Sequence, residues 1–337
     1  MINRSREIRN FIIQNVKEFP NGIAKQTSVK FSISRQAVNR HLNQLVEDQV
    51  LDAEGVTMNR AYRLRALNWQ KAYSLDSQLA EDVVWRDDIS ELLNELPDYI
   101  LDIWHYGFSE MFNNVIDHSE GNNVVVEVEK TAAGVNISLF DDGIGIFKKI
   151  QNHFSLLDER HAVLELSKGK LTTDPDNHSG EGIFFTSRMF DQFTILSGNT
   201  FFQHQFSELG DWILESEKYR SGTLVSMDLD NHILRTAKET FDQFTSTEDY
   251  AFSKTIVPVR LAQYNSEKLI TRSQAKRLMA RVEKFTTVIL DFNTVETVGQ
   301  AFADEAFRVF PSRHKNLEVI AVNANTEVQR MISRVKS

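Results

Sequence analysis

The sequence predicts a multidomain α+β protein. At 337 residues the chain is long enough for two or three domains of ordinary size. Three kinds of pattern follow one another along it: helical apolar spacing near the start, strands and helices punctuated by glycines in the middle, and alternating strands and helices at the end. We therefore predict three domains, at residues 1–68, 75–232 and 250–337.

The composition narrows the class of protein. Hydrophobic residues make up 41% of the chain and charged residues 25%, as in soluble globular proteins. No apolar run reaches the ~18 residues of a membrane span, and the first residues lead into an amphipathic stretch instead of a signal-peptide core. With no cysteine there can be no disulfide and no thiolate metal site. We expect a cytoplasmic protein without a membrane partner.

Charge is unevenly distributed along the chain. The net charge is −9, yet residues 1–68 carry eleven Lys and Arg against six Asp and Glu, a local net charge of +5. The other residues therefore carry −14. A basic first domain on an acidic body is typical of a DNA-binding head.

The first domain is predicted to begin with three helices. Apolar residues at helical spacing predict the first helix, which ends at the turn around Pro20. A short second helix is predicted from Gly22 to Val29, and Ser34 is the expected N-cap of the third. The side chains expected to be buried are Ile8, Phe11, Ile12 and Val16 of the first helix and Val38, Leu42 and Leu45 of the third.

The third helix has polar side chains facing outward at its start, and two strands are predicted after it, at residues 50–53 and 61–65. This order of elements resembles the winged helix-turn-helix family of transcription regulators. The resemblance implies DNA as a partner, contacted by the third helix and by the wing. A protein-contact module, or a small bundle kept soluble by its polar faces, is the alternative. The implied DNA-binding residues are Arg35, Gln36, Asn39 and Arg40 on the helix and Arg60 and Arg63 on the wing.

Three polar residues in the middle of the chain share one face of a predicted helix. Glu110, Asn114 and His118 recur at i, i+4 and i+8, with about 40° of drift per step. They can therefore line one pocket. For His118 the alternative is an ordinary histidine at a helix end.

A carboxylate and a pair of glycines follow this helix. Alternating apolar residues predict a strand that ends at Asp141, and Gly143 and Gly145 then allow a tight turn. A buried carboxylate there could accept a hydrogen bond from an adenine amino group.

A second pair of glycines, Gly180 and Gly182, precedes a helix predicted at residues 184–193. The free N–H groups and the positive end of a helix suit phosphate.

In this order and spacing the motifs resemble those of the GHKL ATPase superfamily, which includes histidine kinases, anti-sigma-factor kinases and type II topoisomerases. The resemblance covers residues 75–232 and implies an α/β sandwich of the Bergerat type that binds ATP and Mg²⁺. Residues 148–179 then fit the mobile lid of such folds, and a long loop is the alternative. The implied roles are general base for Glu110, magnesium ligand for Asn114, adenine-reading carboxylate for Asp141, glycine boxes for Gly143 with Gly145 and Gly180 with Gly182, and a phosphate-side threonine for Thr223. His118, on the same helix face, is a further candidate for cofactor binding.

The last part of the chain predicts a small α/β unit. Buried-strand patterns lie at residues 288–292 and 317–322, and helical patterns follow them at 301–310 and after a cap at Asn325 or Thr326. This alternation implies a parallel pair of strands. It resembles STAS domains, which are partners of anti-sigma-factor kinases, and most closely a STAS-like variant fused behind GHKL modules. The resemblance implies a protein partner, and we also expect a homodimer.

One position departs from the STAS pattern. STAS proteins that are phosphorylated carry Asp-Ser-Ser-Gly where the helix begins, whereas residues 298–302 are Val-Gly-Gln-Ala-Phe. Gln300 aligns with the phosphate acceptor, and its amide cannot be phosphorylated. The nearest hydroxyl, on Thr297, is more simply explained as a strand-end residue. Phosphotransfer within the chain therefore has no obvious target.

Three functions are open at this point. The first is a transcription regulator, in which ATP and Mg²⁺ change the population of a DNA-competent arrangement. The second is a serine/threonine kinase of the anti-sigma-factor type, in which Glu110 takes a proton from a hydroxyl of another protein. The third is a dimerising ATPase. A histidine kinase is disfavoured, because His105 lies too close to Glu110 on the same helix to be the phosphate acceptor.

Overall fold

The computed structural model is mixed α/β, with helices and three sheets in its described parts. The described residues are 2–55, 60–176, 178–206, 210–246, 251–263 and 267–336, with side chains omitted at 2, 3, 210 and 215–218. The chain divides into two compact units. One consists of Met1–Lys71, Val126–Ile137 and Asp228–Ile233, and the other of the remaining residues.

The chain begins with three helices and a hairpin, in the predicted order. The helices are α1 (Ile2–Asn15), α2 (Ile23–Phe31) and α3 (Arg35–Glu47). The strands β1 (Leu51–Glu54) and β2 (Ala61–Leu64) pair antiparallel. The tip of this hairpin, residues 56–59, lies outside the described residues.

The core of this first unit follows the predicted stripes. All the side chains expected to be buried are buried except Phe11, which is partly exposed. Ser34 caps α3 as predicted, because its hydroxyl accepts a hydrogen bond from the N–H of Ala37 at 3.2 Å. Ala132 and Ala133 also pack against this core.

Five strands form the largest sheet, in the order β3-β4-β5-β7-β6. The predicted strand ending at Asp141 is confirmed as β5, and its side chains alternate between buried and partly exposed up to Leu139. The strands are β3 (Leu67–Ser74), β4 (Asn123–Lys130), β5 (Gly134–Asp141), β6 (Gln192–Gln205) and β7 (Gly210–Asp230).

The longest helix is α6 (Asp98–His118), which follows α4 (Glu81–Val84), a π-helical turn (Trp85–Ile89) and α5 (Ser90–Leu93). Its buried residues recur at helical spacing. They are Ile100, Ile103, Trp104, Gly107, Phe108, Met111, Phe112 and Val115. Because this apolar stripe packs against the core, it determines which way the rest of α6 faces, including its polar residues.

The segment from residue 148 to 179 is half helical, so its description as one long loop is wrong. Helices α7 (Ile146–Phe154) and α8 (Glu159–Ser167) occupy half of it. Phe147 and Ile150 of α7 are buried, and α8 is buried continuously from Ala162 to Ser167. Such burial stabilises a helix more than the intrinsic preferences of its residues do. Within this segment, Asn177 lies outside the described residues.

The next helix, α9 (Gly182–Met189), is shorter than the predicted 184–193. Phe190 has an extended backbone, and Phe193 and Ile195 are buried in β6. The phenylalanines of this run are compatible with the period of a helix and with that of a strand. Residues from Gln192 onward form a strand because they pair in the sheet.

The carboxy-terminal part contains a three-stranded parallel sheet in the order β10-β9-β8. The predicted parallel pair is β9 and β10, whereas β8 was not predicted. Asn325 caps the last helix, since its Oδ1 accepts a hydrogen bond from the N–H of Val328 at 3.0 Å. The elements are α10 (Ala237–Phe244), β8 (Lys254–Pro258), a 3₁₀ turn (Val259–Ala262), α11 (Arg272–Leu278), a 3₁₀ turn (Val282–Lys284), β9 (Thr287–Asp291), α12 (Gln300–Asp304), a π-helical turn (Glu305–Val309), α13 (Phe310–Arg313), β10 (Glu318–Val322) and α14 (Thr326–Lys336).

Within the described ranges, none of the helices combines the length and the apolar character that crossing a bilayer requires.

Candidate functional site

One cavity of about 260 Å³ brings together most of the residues singled out in the middle of the chain. Its volume is close to the lower end of the ~300–1,000 Å³ typical of small-molecule sites. The predicted residues that line it are Glu110, Asn114 and His118 of α6, together with Asp141, Gly180, Gly182 and Thr223. Gly143 and Gly145 do not line the cavity and instead shape the turn after β5.

Asp141 is the buried carboxylate of the cavity. Its side chain is only 3% exposed, and its Oδ1 accepts hydrogen bonds from the N–H of Gly143 at 2.9 Å and of Thr223 at 3.2 Å. Burial raises the pKa of Asp141 above its ordinary value, and these two N–H groups offset part of the rise. The carboxylate is therefore fixed in position before any ligand arrives.

Thr223 lies beside Asp141 in the structure. Its N–H donates to Asp141, and its hydroxyl accepts a hydrogen bond from the N–H of Ile146 at 3.1 Å. The preceding Gly222 has φ +81°, and a Cβ there would collide with the carbonyl oxygen of Asp141. The close approach of β7 to the end of β5 therefore requires glycine at this position.

Glu110 lies where α9 begins. A Cβ on Gly182, the first residue of α9, would collide with the Glu110 carboxylate. Burial raises the pKa of Glu110, His178 opposes this rise and Glu181 adds to it. A half-buried carboxyl with a raised pKa, beside free N–H groups of a helix start, is suited to exchange a proton near an anion.

Asn114 lies one helical turn beyond Glu110 and also lines the cavity. Its amide oxygen is of the type that Mg²⁺ binds, and Mg²⁺ usually completes its shell with water and phosphate oxygens. The described residues contain no group of three or more His, Cys, Asp and Glu side chains that could hold a metal ion. These side chains could therefore bind a Mg²⁺ ion that is also coordinated by a phosphate ligand, but they could not supply all of its ligands.

Two ionisable residues that line the cavity were not predicted from the sequence, Lys149 and His178. The Lys149 Nζ donates to the carbonyl oxygen of His118 at 2.9 Å and pairs with Glu120 at 2.9 Å. The His178 ring packs edge-on against His118 at 4.7 Å between centroids, and its Nε2 lies 3.3 Å from Asp117 Oδ2. Burial, together with His178 and Lys149, lowers the pKa of His118.

Both residues lie in the segment for which the sequence predicts a lid or a long loop. Helical periodicity from Ile146 onward was the signal that could have placed Lys149 on an ordered element. No comparable signal marks His178, because its ring is placed by packing against His118, which is distant in the sequence.

The residues predicted to bind DNA are at the surface of the first unit. Arg35, Gln36, Asn39 and Arg40 are exposed on α3. On the hairpin, the Arg60 guanidinium lies 5.3 Å from the ring centroid of Tyr62. Arg63 is 73% exposed and lies 3.7 Å from Glu54. The helix therefore presents four polar side chains to solvent, whereas one wing arginine is already close to a carboxylate.

A larger cavity, of about 630 Å³, lies elsewhere in the second unit. Its charged side chains are engaged by protein groups. Arg188 donates to the carbonyl oxygen of Phe184 and the hydroxyl of Ser187, Arg235 donates to Asp191, and His204 is hydrogen-bonded to Asp211. Positive and negative groups both line it, so it does not indicate the charge of a ligand.

Comparison with known families gives a match in the carboxy-terminal part of the chain. Residues 274–329 are similar to the family described as STAS-like domain of unknown function (DUF4325). The match supports the STAS-like part of the prediction over this region, which we call the STAS-like region, and extends to no other part of the chain. No curated protein sequence matches the chain.

Proposed function

We propose that the chain is an ATP-binding transcription regulator, in which ATP and Mg²⁺ bound at the 260 Å³ cavity control a DNA-binding head formed by residues 1–68. The observation that carries the proposal is the convergence of Glu110, Asn114, Asp141 and the glycine-led start of α9 on one cavity. A turn glycine or a helical asparagine alone would indicate little. Their convergence supports a nucleotide site of the GHKL type.

Three groups of the cavity have distinct parts in this proposal. Asp141 would accept a hydrogen bond from the adenine amino group, and its two backbone donors keep it correctly oriented. The start of α9 at Gly182 would receive phosphate oxygens. Asn114 would bind the magnesium ion that accompanies the phosphates. ATP supplies the differential binding energy that changes the population of the DNA-competent state.

The proposed DNA contact is the outward face of α3. Its four polar residues are at the start of the helix, where a recognition helix meets base edges and phosphates. The excess of basic residues in the first 68 positions favours a polyanion as partner. A module that binds protein instead is the competing proposal, and DNA from the protein's own promoter tests it at low salt.

The raised pKa of Glu110 favours a second candidate function, a serine/threonine kinase that acts on a separate protein. In that case Glu110 would accept the proton of the attacking hydroxyl. The STAS-like region would provide the surface that binds a protein partner, as the resemblance implies.

Incubation of the full-length protein with ATP labelled at the γ-phosphate and Mg²⁺ separates the candidates. The regulator predicts bound nucleotide with little turnover. A kinase predicts label on a protein, and an ATPase predicts free labelled phosphate. Absence of bound nucleotide at millimolar ATP would remove all three.

A further inference from the structure

The loop that borders the candidate nucleotide site is attached at both ends to the carboxy-terminal part of the chain. We call residues 168–181 the site loop, of which 177 lies outside the described residues. Leu166 before it and Leu171 within it both line the cavity. Between these two residues lies Lys168, whose side chain is almost fully buried, at 2% exposed.

The ammonium group of Lys168 uses its three donors on protein acceptors. Its Nζ donates to Glu165 Oε1 at 2.8 Å and to the carbonyl oxygens of Arg277 and Ala280 at 3.2 and 2.9 Å. Both carbonyl oxygens belong to the STAS-like region. Such a saturated buried cation fixes the chain on either side of it, because any displacement leaves a charge without partners.

Glu165 connects α8 to the same part of the STAS-like region. Its Oε2 lies 3.4 Å from Arg281 Nη1, and its Oε1 lies 3.4 Å from His161 Nε2. Burial would raise the pKa of Glu165, but Lys168, His161 and Arg281 together hold it below its ordinary value. The Glu165 carboxylate is therefore charged. Burial lowers the pKa of Lys168, and the charge of Glu165 and its hydrogen bond oppose that fall.

Further contacts attach the start of the site loop. The Thr255 hydroxyl donates to the carbonyl oxygen of Lys168 at 2.7 Å. Lys170 and Lys284 donate to each other's carbonyl oxygens at 3.4 and 3.0 Å. The Lys170 ammonium also lies 5.1 Å from the ring centroid of Phe285.

The end of the site loop is attached through α9. The Phe184 ring lies 4.6 Å, and the Phe185 ring 4.9 Å, from Phe252, which in turn lies 5.1 Å from Phe285. A backbone hydrogen bond from Leu171 to Gly180, at 3.2 Å, joins the two ends of the loop. The start of the loop and the helix after it are thus both held by groups of the carboxy-terminal part.

We propose that the STAS-like region holds the site loop in its ligand-binding shape through the buried Lys168–Glu165–Arg281 cluster, and so regulates the nucleotide site. This inference rests on the proposed ATP site. A loosened loop would have to be ordered when ligand binds, and this cost lowers affinity. The coupling is reciprocal. Bound nucleotide must therefore stabilise the contacts between the STAS-like region and the site loop by the same coupling free energy.

The test uses two cluster variants of the full chain, with one control. Arg281→Gln removes one ion pair from the side of the STAS-like region. The double variant Glu165→Gln, Lys168→Met removes both buried charges together, so that neither is left unpaired. The control is Arg308→Gln, which breaks the 2.5 Å pair between the exposed Arg308 and the partly buried Asp304 in the same region. Asp304 keeps Arg272 as a partner in this variant. Circular dichroism establishes that each variant is folded.

Two measurements decide the outcome. Without nucleotide, amide hydrogen exchange in residues 171–181 should be faster in both cluster variants and unchanged in Arg308→Gln. ATP affinity by calorimetry should fall roughly 2- to 30-fold in the cluster variants only. Unchanged loop exchange, or unchanged or higher affinity in folded variants, overturns the inference. A wild-type protein that binds no ATP instead overturns the proposed function, and loop exchange still decides whether the cluster controls the loop.

Discussion

The candidate nucleotide cavity and the outward face of α3 differ in how their side chains are held. In the cavity, Asp141 is buried, accepts two backbone hydrogen bonds and has a shifted pKa. On α3, Arg35 and Arg40 are exposed to solvent. Buried, fixed groups select a ligand by geometry and strong local interactions, whereas exposed charges contribute graded, salt-sensitive attraction.

This difference predicts how each region responds to substitution. Removal of one cavity group should eliminate either nucleotide binding or turnover, because no neighbouring group can replace it. Removal of one surface arginine should weaken binding by an increment. Substitutions in the two regions test that contrast, and their expected effects run from the loss of turnover to small changes in stability.

The largest effect is expected from Glu110→Ala. Nucleotide binding should stay largely intact while any turnover falls, by roughly 10²- to 10⁴-fold, since a general base acts on the nucleophile and not on the ligand. Calorimetry measures the binding and release of labelled phosphate measures the turnover. A parallel loss of both would show that Glu110 has a different role.

Asp141→Asn should abolish ATP binding at ordinary concentrations. The amide presents a donor to the adenine amino group and loses a charge-assisted hydrogen bond worth ~1.5–3 kcal/mol, or roughly 10- to 150-fold in affinity. Calorimetry again provides the measurement.

A matched control for this variant lies one residue away. Asp142→Asn alters the same turn, where the Asp142 carboxylate accepts hydrogen bonds from Asn122 and Asn123 and not from Gly143. If both variants lose affinity equally, the effect comes from the turn and Asp141 is not the adenine-reading group.

Arg35→Ala with Arg40→Ala should weaken DNA binding by a graded amount. The slope of log affinity against log salt should become shallower by about 0.9 for each DNA phosphate that the variant no longer neutralises. The control is Arg6→Ala with Lys17→Ala, which removes the same charge from exposed positions of the same domain outside α3. Equal losses of affinity in the two double variants would mean that net charge, and not the α3 face, attracts DNA.

The sequence predicted the elements that local chemistry determines. Ser34 as a cap, the α6 face with Glu110 and Asn114, and the strand ending at Asp141 all follow from short-range patterns. The sequence did not predict the position of His178, since that depends on its packing against α6. Residues distant in the chain decide such contacts, and no local period reports them.

The helix boundaries show the same limit. The sequence from Phe184 to Phe193 is compatible with a helix throughout. In the structure the helix ends at Met189, and Phe193 belongs to β6. The Lys168 cluster was missed because an isolated lysine is usually exposed. Only the three acceptors assembled from α8 and the STAS-like region make its burial stable.

A smaller effect, on stability, is expected from Glu110→Gln. The pKa of Glu110 is raised on folding, so the wild-type protein loses stability as the pH rises from about 4.5, the ordinary glutamate value, through the raised pKa. The neutral amide avoids this loss. The variant should therefore gain in Tm relative to wild type at pH 8, and gain less at pH 4.

The control for the stability measurement is Glu91→Gln, at an exposed glutamate of α5. Its Tm difference from wild type should be small at both pH values. A Glu110→Gln variant that is less stable than wild type at pH 8 would mean that the Glu110 carboxylate is stabilised in the fold by charge, in contrast to the raised pKa.

The last prediction is the absence of an effect: the start of α12 should not become phosphorylated. Gln300 is exposed at the first position of this helix, so access would not prevent modification, but an amide has no oxygen nucleophile comparable to a hydroxyl. We expect mass spectrometry of the purified protein, incubated with ATP and Mg²⁺, to find no stable phosphate in residues 250–337. The exposed Thr297 is the sensitive position. Phosphate on it that disappears in Glu110→Ala would make the kinase the better proposal, because the buried cavity would then act on an exposed hydroxyl.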